Sequence, residues 1–157
     1  MSYEFNAEEI FAMAEQIESN GAKFYREAAQ NVSGTESKEL LLGLAGMEDE
    51  HEKTFQIMRS QLTEKEKEAT VFDPEGEAAQ YLTALADTRV FFEKKMELSS
   101  MKEILKAGIV AEKDSIAFYL GMKDVVSDNR GKQRIEAIIK EEMQHIRILS
   151  KELAAFK

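Results

Sequence analysis

The sequence contains no cysteine and no tryptophan, and only one proline and two histidines in 157 residues. Without cysteine there is no disulfide, no zinc finger, no iron–sulfur cluster and no cysteine-held iron site. The lone proline, Pro74, leaves nearly the whole length free of helix breakers. Base is scarce: 21 Lys and Arg face 30 Asp and Glu, for a formal net charge of −9. A nucleic-acid partner is therefore not expected. No apolar run approaches the roughly 20 residues of a membrane span. The N-terminal Met1-Ser2-Tyr3-Glu4-Phe5 has neither the basic nor the apolar region of a signal peptide. A cytoplasmic protein without a membrane partner is the expectation.

What is present points one way. Glu, Lys, Ala, Leu and Met favour an all-α fold, and the length suits a single domain over residues 1–157. Apolar residues recur at three and four. A first helix opens at Asn6, with Glu9 as reciprocal cap. Its stripe is Ile10, Phe11, Ala14, Ile17, Gly21, Ala22 and Tyr25, interrupted by Glu18. A turn over 31–34 leads to a second helix, with Leu40, Leu41, Leu44, Ala45, Glu48, His51, Phe55, Met58 and Leu62 on one face. The charged run from Thr63 to Thr70 reads as a linker. Asp73-Pro74 then caps a short crossover helix carrying Ala78, Leu82, Leu85 and Ala86. A further helix begins around Ser99 and Ser100, with Ile104, Leu105, Gly108, Glu112, Ser115, Ile116, Tyr119 and Met122 in its stripe. After a turn over 127–131 the last helix runs from about Lys132. Two pairs joined by short loops, with one long crossover between them, make an antiparallel four-helix bundle.

The polar residues inside the stripes carry the chemistry. Ile135, Ile138, Ile139, Glu142, His145, Ile146, Leu149 and Leu153 share a face, so a carboxylate and an imidazole interrupt a core stripe. An unpaired ionised carboxylate there is prohibitively costly, and a metal ion neutralises it most simply. The same Glu-x-x-His pair recurs as Glu48 and His51, so both histidines lie in such pairs. Glu18 precedes Glu48 by thirty residues, and Glu112 precedes Glu142 by thirty. Glu18 and Glu112, Tyr25 and Tyr119, Glu48 and Glu142, and His51 and His145 all share an offset of ninety-four. This is an internal duplication of a two-helix unit. Facing each other, the units bring four carboxylates and two imidazoles to mid-bundle, and two divalent ions balance the four negative charges. Iron or manganese suits these donors, and zinc binds by affinity. Six side chains leave open positions on two ions, which implies chemistry beyond a structural staple.

Neighbouring positions admit two readings each. Tyr25 and Tyr119, two turns beyond Glu18 and Glu112, either hydrogen-bond a ligating carboxylate or are ordinary core tyrosines. Gly21 and Ser115 either leave room for a small oxidant or allow close helix packing. Glu141 is expected as a solvated surface residue rather than as the partner of a histidine across the bundle.

With Glu18, Glu48-x-x-His51, Glu112 and Glu142-x-x-His145 in place, the chain resembles the rubrerythrin-like branch of the ferritin-like superfamily. The segments 111–119 and 138–146 are especially similar in texture. The resemblance implies a ferritin-like bundle with two irons. Glu48 and Glu142 would bridge them, Glu18 and Glu112 would be terminal ligands, and His51 and His145 would each cap one iron. It also implies reaction with hydrogen peroxide or dioxygen, and a homodimer. The family's founding members carry a C-terminal rubredoxin-like domain with four cysteines. None is present here, so electrons are expected from a separate donor protein or from substrate iron. Those members also have a glutamate three residues after the third-helix ligand, where this sequence has Ser115. The likeness therefore does not extend to their redox-linked iron movement. The alternatives are a non-catalytic iron-binding, storage or carrier protein, and a helical adaptor holding metal only for stability.

Overall fold

The structure is a computed structural model describing residues 7–64, 77, 80–82, 84, 100–126 and 128–156. The Asn6 cap, most of the charged linker, Asp73-Pro74, and Ala78, Leu85 and Ala86 of the crossover lie outside the described residues. Four long helices form: α1 (Ala7–Asn31), α2 (Thr35–Ser60), α3 (Met101–Val125) and α4 (Asn129–Ala154). The described residues contain no strand.

Local sequence sets most of the helix ends. At α3, the Ser100 hydroxyl accepts from the Glu103 backbone N–H at 3.2 Å, closing a Ser-x-x-Glu start. At α4, the Asp128 carboxylate accepts from the Gly131 N–H, so this helix begins three residues earlier than the sequence suggested. Between α1 and α2 the chain turns over 32–34, and Gly34 caps α2 without a side-chain bond. Arg26 of α1 forks onto Asp49 of α2 across this first pair.

Two apolar clusters define the helix directions. One gathers Ile10, Phe11, Ala14 and Ile17 of α1 with Phe55 and Met58 of α2, Phe118, Tyr119 and Met122 of α3, and Ile135, Ile138 and Ile139 of α4. The other gathers Tyr25, Ala28 and Ala29 with Leu41, Leu44 and Ala45, Ile104 and Leu105, and Leu149. Thus α1 runs antiparallel to α2 and α3, and α4 antiparallel to α2 and α3. This is the up-down-down-up path that a long crossover between the second and third helices permits. Leu82 of the crossover is buried in the first cluster. The adjacent Tyr81 donates its hydroxyl proton to the Ala117 carbonyl oxygen at 2.7 Å.

Each fully buried Ile, Leu or Phe contributes roughly 1.5–3 kcal/mol. With such residues stacked at both ends, the bundle can hold a polar layer between them. That layer is where α1 to α4 present Glu18, Glu48, Glu112 and Glu142.

Candidate metal centre

The six sequence-predicted ligands converge. Glu18, Glu48, His51, Glu112, Glu142 and His145 are all buried, none more than 3% exposed. Helical spacing explains the inward direction: in α2 and α4 the histidine follows its glutamate by three, on the stripe facing the partner helices. Their donor atoms form two groups. Glu18, Glu48, His51 and Glu142 make one; Glu48, Glu112, Glu142 and His145 make the other. Within each group the donor atoms lie within 4.8 Å of one another. Glu48 and Glu142 belong to both groups, whereas each histidine and each lone glutamate belongs to one. The imidazole rings lie nearly parallel, 5.8 Å apart between centroids.

The distances follow the pseudo-two-fold relation of the units. His51 Nδ1 is 2.9 Å from Glu142 Oε1 and 3.5 Å from Glu18 Oε2. His145 Nδ1 is 3.2 Å from Glu48 Oε1 and 3.4 Å from Glu112 Oε1. The tyrosines cross between units. Tyr25 donates to Glu112 Oε1 at 2.6 Å, and Tyr119 donates to Glu18 Oε1 at 2.5 Å. Both phenols are fully buried, so each holds a terminal carboxylate in place. At Gly108 a Cβ would lie 3.2 Å from Leu149 Cδ1, tighter than most packing, and 3.4 Å from the Tyr25 phenol oxygen.

One expectation is corrected. Glu141 is half-exposed, yet its carboxylate contacts His51 Nε2 across the bundle. It is a histidine partner and not simply a solvated surface residue. The space beside Gly21 is bounded by Glu48, whose Oε2 lies 3.5 Å from where a Cβ would sit. Ser115 turns its hydroxyl back to its own helix, donating to the Ala111 carbonyl oxygen at 3.0 Å.

Among themselves the six side chains shift one another's affinity for protons. Burial, with the neighbouring charges of Glu142 and Glu48, raises Glu18 well above the usual carboxylate range. Burial and Glu142 raise Glu112 likewise. For Glu142, burial works upward, but the neighbouring Glu112, His145 and His51 side chains outweigh it and hold the group well below. Glu48 is lowered in the same way, burial and Glu142 being outweighed by the neighbouring Glu18, His145 and His51 side chains. Burial would lower the histidines; the carboxylates of Glu112, Glu142 and Glu48, 3.2–3.4 Å from its Nδ1, instead raise His145 to about 11. Bonds with Glu142, Glu18 and Glu48 raise His51 against the same burial. Without metal, the histidines, Glu18 and Glu112 thus hold protons more tightly than free groups do, and Glu48 and Glu142 less tightly.

Hydrogen bonding does not exhaust the donor set. Glu18 Oε2, Glu48 Oε1, Glu112 Oε2, Glu142 Oε2 and both ring nitrogens of His145 have no hydrogen-bond partner among the described residues. Buried polar atoms are normally satisfied, and orphans clustered on one spot fit a bound cation. Carboxylate and imidazole are the donors that iron, manganese and zinc accept. A further buried carboxylate escaped the sequence reading. Glu15 of α1 lies 3.0 Å from Arg59 Nη1 of α2. It pairs with a cation outside the cluster, and its signal was its place three residues before Glu18 on the same helix.

Bundle and cluster together define a ferritin-like protein of the diiron-carboxylate type. The crystal structure of a Thermotoga maritima protein provisionally described as a ferritin-like diiron-carboxylate protein is similar, with a TM-score of 0.72 at 25% sequence identity over 97% of each chain. The rubrerythrin family profile matches residues 9–153, and the chain belongs to the rubrerythrin family. No curated protein shows a significant sequence match.

Proposed function

We propose that the protein is a diiron oxidoreductase of the peroxide-reducing type, with Glu18, Glu48, His51, Glu112, Glu142 and His145 holding two iron ions. The observation that carries this reading is the membership of Glu48 and Glu142 in both donor groups. Two carboxylates shared between two clusters suit a pair of adjacent cations, each with its own histidine and terminal glutamate. When bound, two ferrous ions would supply two electrons, which with two protons reduce hydrogen peroxide to two waters, or dioxygen to hydrogen peroxide, and an external donor would replace them. The chain's residues position and protect. Tyr25 and Tyr119 fix the terminal carboxylates through their hydroxyls. The apolar clusters on either side keep bulk water out. In this reading the electrons come from a separate donor protein or from substrate iron, the protein works in the cytoplasm, and the working unit is the homodimer that the family resemblance implies. Manganese fits the same donors, and zinc competes by affinity.

The test is elemental analysis of protein purified without added metal, followed by anaerobic mixing of the reduced protein with peroxide. Two irons per chain, an absorbance change on mixing and repeated turnover with reductant are expected. Protein that binds no metal, or iron-loaded protein inert to peroxide and dioxygen, overturns the reading. A second reading, iron uptake and oxidation without sustained turnover, is favoured by Ser115. Its hydroxyl is committed to the Ala111 carbonyl, so no seventh ligand-type side chain joins from that position. A single burst of oxidation that added reductant cannot repeat would select it.

A further inference from the structure

The duplication repeats every ligand and both tyrosines, but it does not repeat what lies behind the histidines. His51 Nε2 meets the Glu141 carboxylate, which α4 carries across to α2. The residue ninety-four positions before Glu141 is Met47, on α2. It is 36% exposed and offers only a thioether, a weak acceptor. Accordingly His145 Nε2 has no partner among the described residues, although the ring is fully buried. The two halves of the centre therefore share their ligands and tyrosines but differ, among the described residues, at the group that receives the outer imidazole N–H.

We infer that the two metal positions are unequal, and that Glu141 is the positioning residue that makes the His51 position the tighter one. This rests on the metal-binding reading above and extends it. When His51 binds a cation through Nδ1, its Nε2–H donates to a carboxylate. That bond fixes the ring and pushes electron density toward the ligating nitrogen. Loss of such a partner behind a metal-bound histidine costs roughly 10–100-fold in affinity. Among the described residues His145 has no such partner. The position built from Glu18, Glu48, His51 and Glu142 should therefore fill first, and the one built from Glu48, Glu112, Glu142 and His145 second.

Stepwise addition of Co2+ to the metal-free full chain tests this. The visible bands of bound cobalt count occupancy, and proton resonances shifted by the ion report the imidazole N–H. The wild type should fill in two steps separated by roughly 10–100-fold, and the first equivalent should bring out a shifted, slowly exchanging imidazole N–H. Glu141→Ala should weaken the first step until the two merge and should lose that resonance, while the second step stays as it was. Glu141→Gln, which still accepts the bond without the charge, should fall between and keep the resonance. Met47→Glu should strengthen the second step. Two equivalents bound with one affinity by the wild type would overturn the inference and leave the metal reading standing. So would a Glu141→Ala protein that weakens both steps equally or neither. A wild type that binds no Co2+, Mn2+ or Fe2+ overturns both. Circular dichroism on each variant separates a lost step from a lost fold; Glu141 is half-exposed, and its removal should leave the helices intact.

Discussion

Tyr25 and Tyr119 each make one short bond, and each makes it to the other unit's glutamate. Seven residues along a helix is a rise of about 10 Å, so neither phenol can reach the carboxylate on its own helix. With α1 and α3 antiparallel, Tyr25 comes level with Glu112 and Tyr119 with Glu18. Removing either hydroxyl frees one terminal ligand and leaves the other restrained. Tyr25→Phe should weaken metal binding in the His145 group and Tyr119→Phe in the His51 group, each by about tenfold or more. Metal competition with a chromophoric chelator measures this, and unchanged affinity in both variants would make the tyrosines core residues and nothing more. The histidines carry a larger penalty. In metal-free protein both hold their protons more tightly than a free imidazole, and they face the lowered Glu48 and Glu142. His51→Ala or His145→Ala should lower the metal bound per chain. Without metal, either change should also destabilise by roughly 3–5 kcal/mol, the cost of stranding a buried charge. Denaturant unfolding with chelator present reads that loss.

At the level of the helices, the described residues of the crossover meet α3 at Tyr81 and Leu82. Tyr81 bonds to the Ala117 carbonyl, and its ring lies over Gly121. A Cβ at Gly121 would sit 2.5 Å from the ring atoms Cδ1 and Cε1, closer than side chains pack. Alanine in a helix is otherwise favoured over glycine by about 1 kcal/mol. Two opposing effects therefore meet at one position. Gly121→Ala should destabilise by about 1–2 kcal/mol with Tyr81 present and stabilise once Tyr81→Ala has removed the ring. A double-mutant cycle in thermal unfolding checks the change of sign; additive effects would mean that the ring does not pack there in solution. This contact also shows where the sequence stops being legible. The stripes of all four helices, the six converging ligands and the start of α3 at Ser100 could be read from spacing, because each depends on residues close together along one helix. Which glutamate Tyr25 meets, the reach of Glu141 to His51, and the tight fit of Tyr81 on Gly121 depend on how helices distant in sequence lie against each other. The start of α4 was placed late because the Asp128 cap was taken for part of the turn.

For the molecule as a whole, the centre makes stability depend on pH in a way that metal should reverse. The free histidine value is 6.5, and folded His145 keeps its proton to about 11, with His51 raised as well. Glu18 and Glu112 are raised above 4.5. At all four groups the folded chain holds protons more tightly than the unfolded chain does. Their contribution is full below the unfolded values and is lost as pH rises, from 4.5 upward for the carboxyls and from 6.5 toward 11 for His145. Glu48 and Glu142 are lowered and act oppositely, weakening the fold only as pH drops below 4.5. Metal-free protein should therefore lose stability steadily above about pH 6.5. Each 1 kcal/mol lost should lower Tm by roughly 2–4 °C in a chain of this size. A bound cation needs the same ligands deprotonated, so its affinity rises with pH. The Tm difference between Mn2+-saturated and chelator-treated protein should accordingly widen from pH 6.5 to pH 9. A chelated protein whose Tm is flat or climbs over that range would mean that its carboxylates are not balanced by histidine protons.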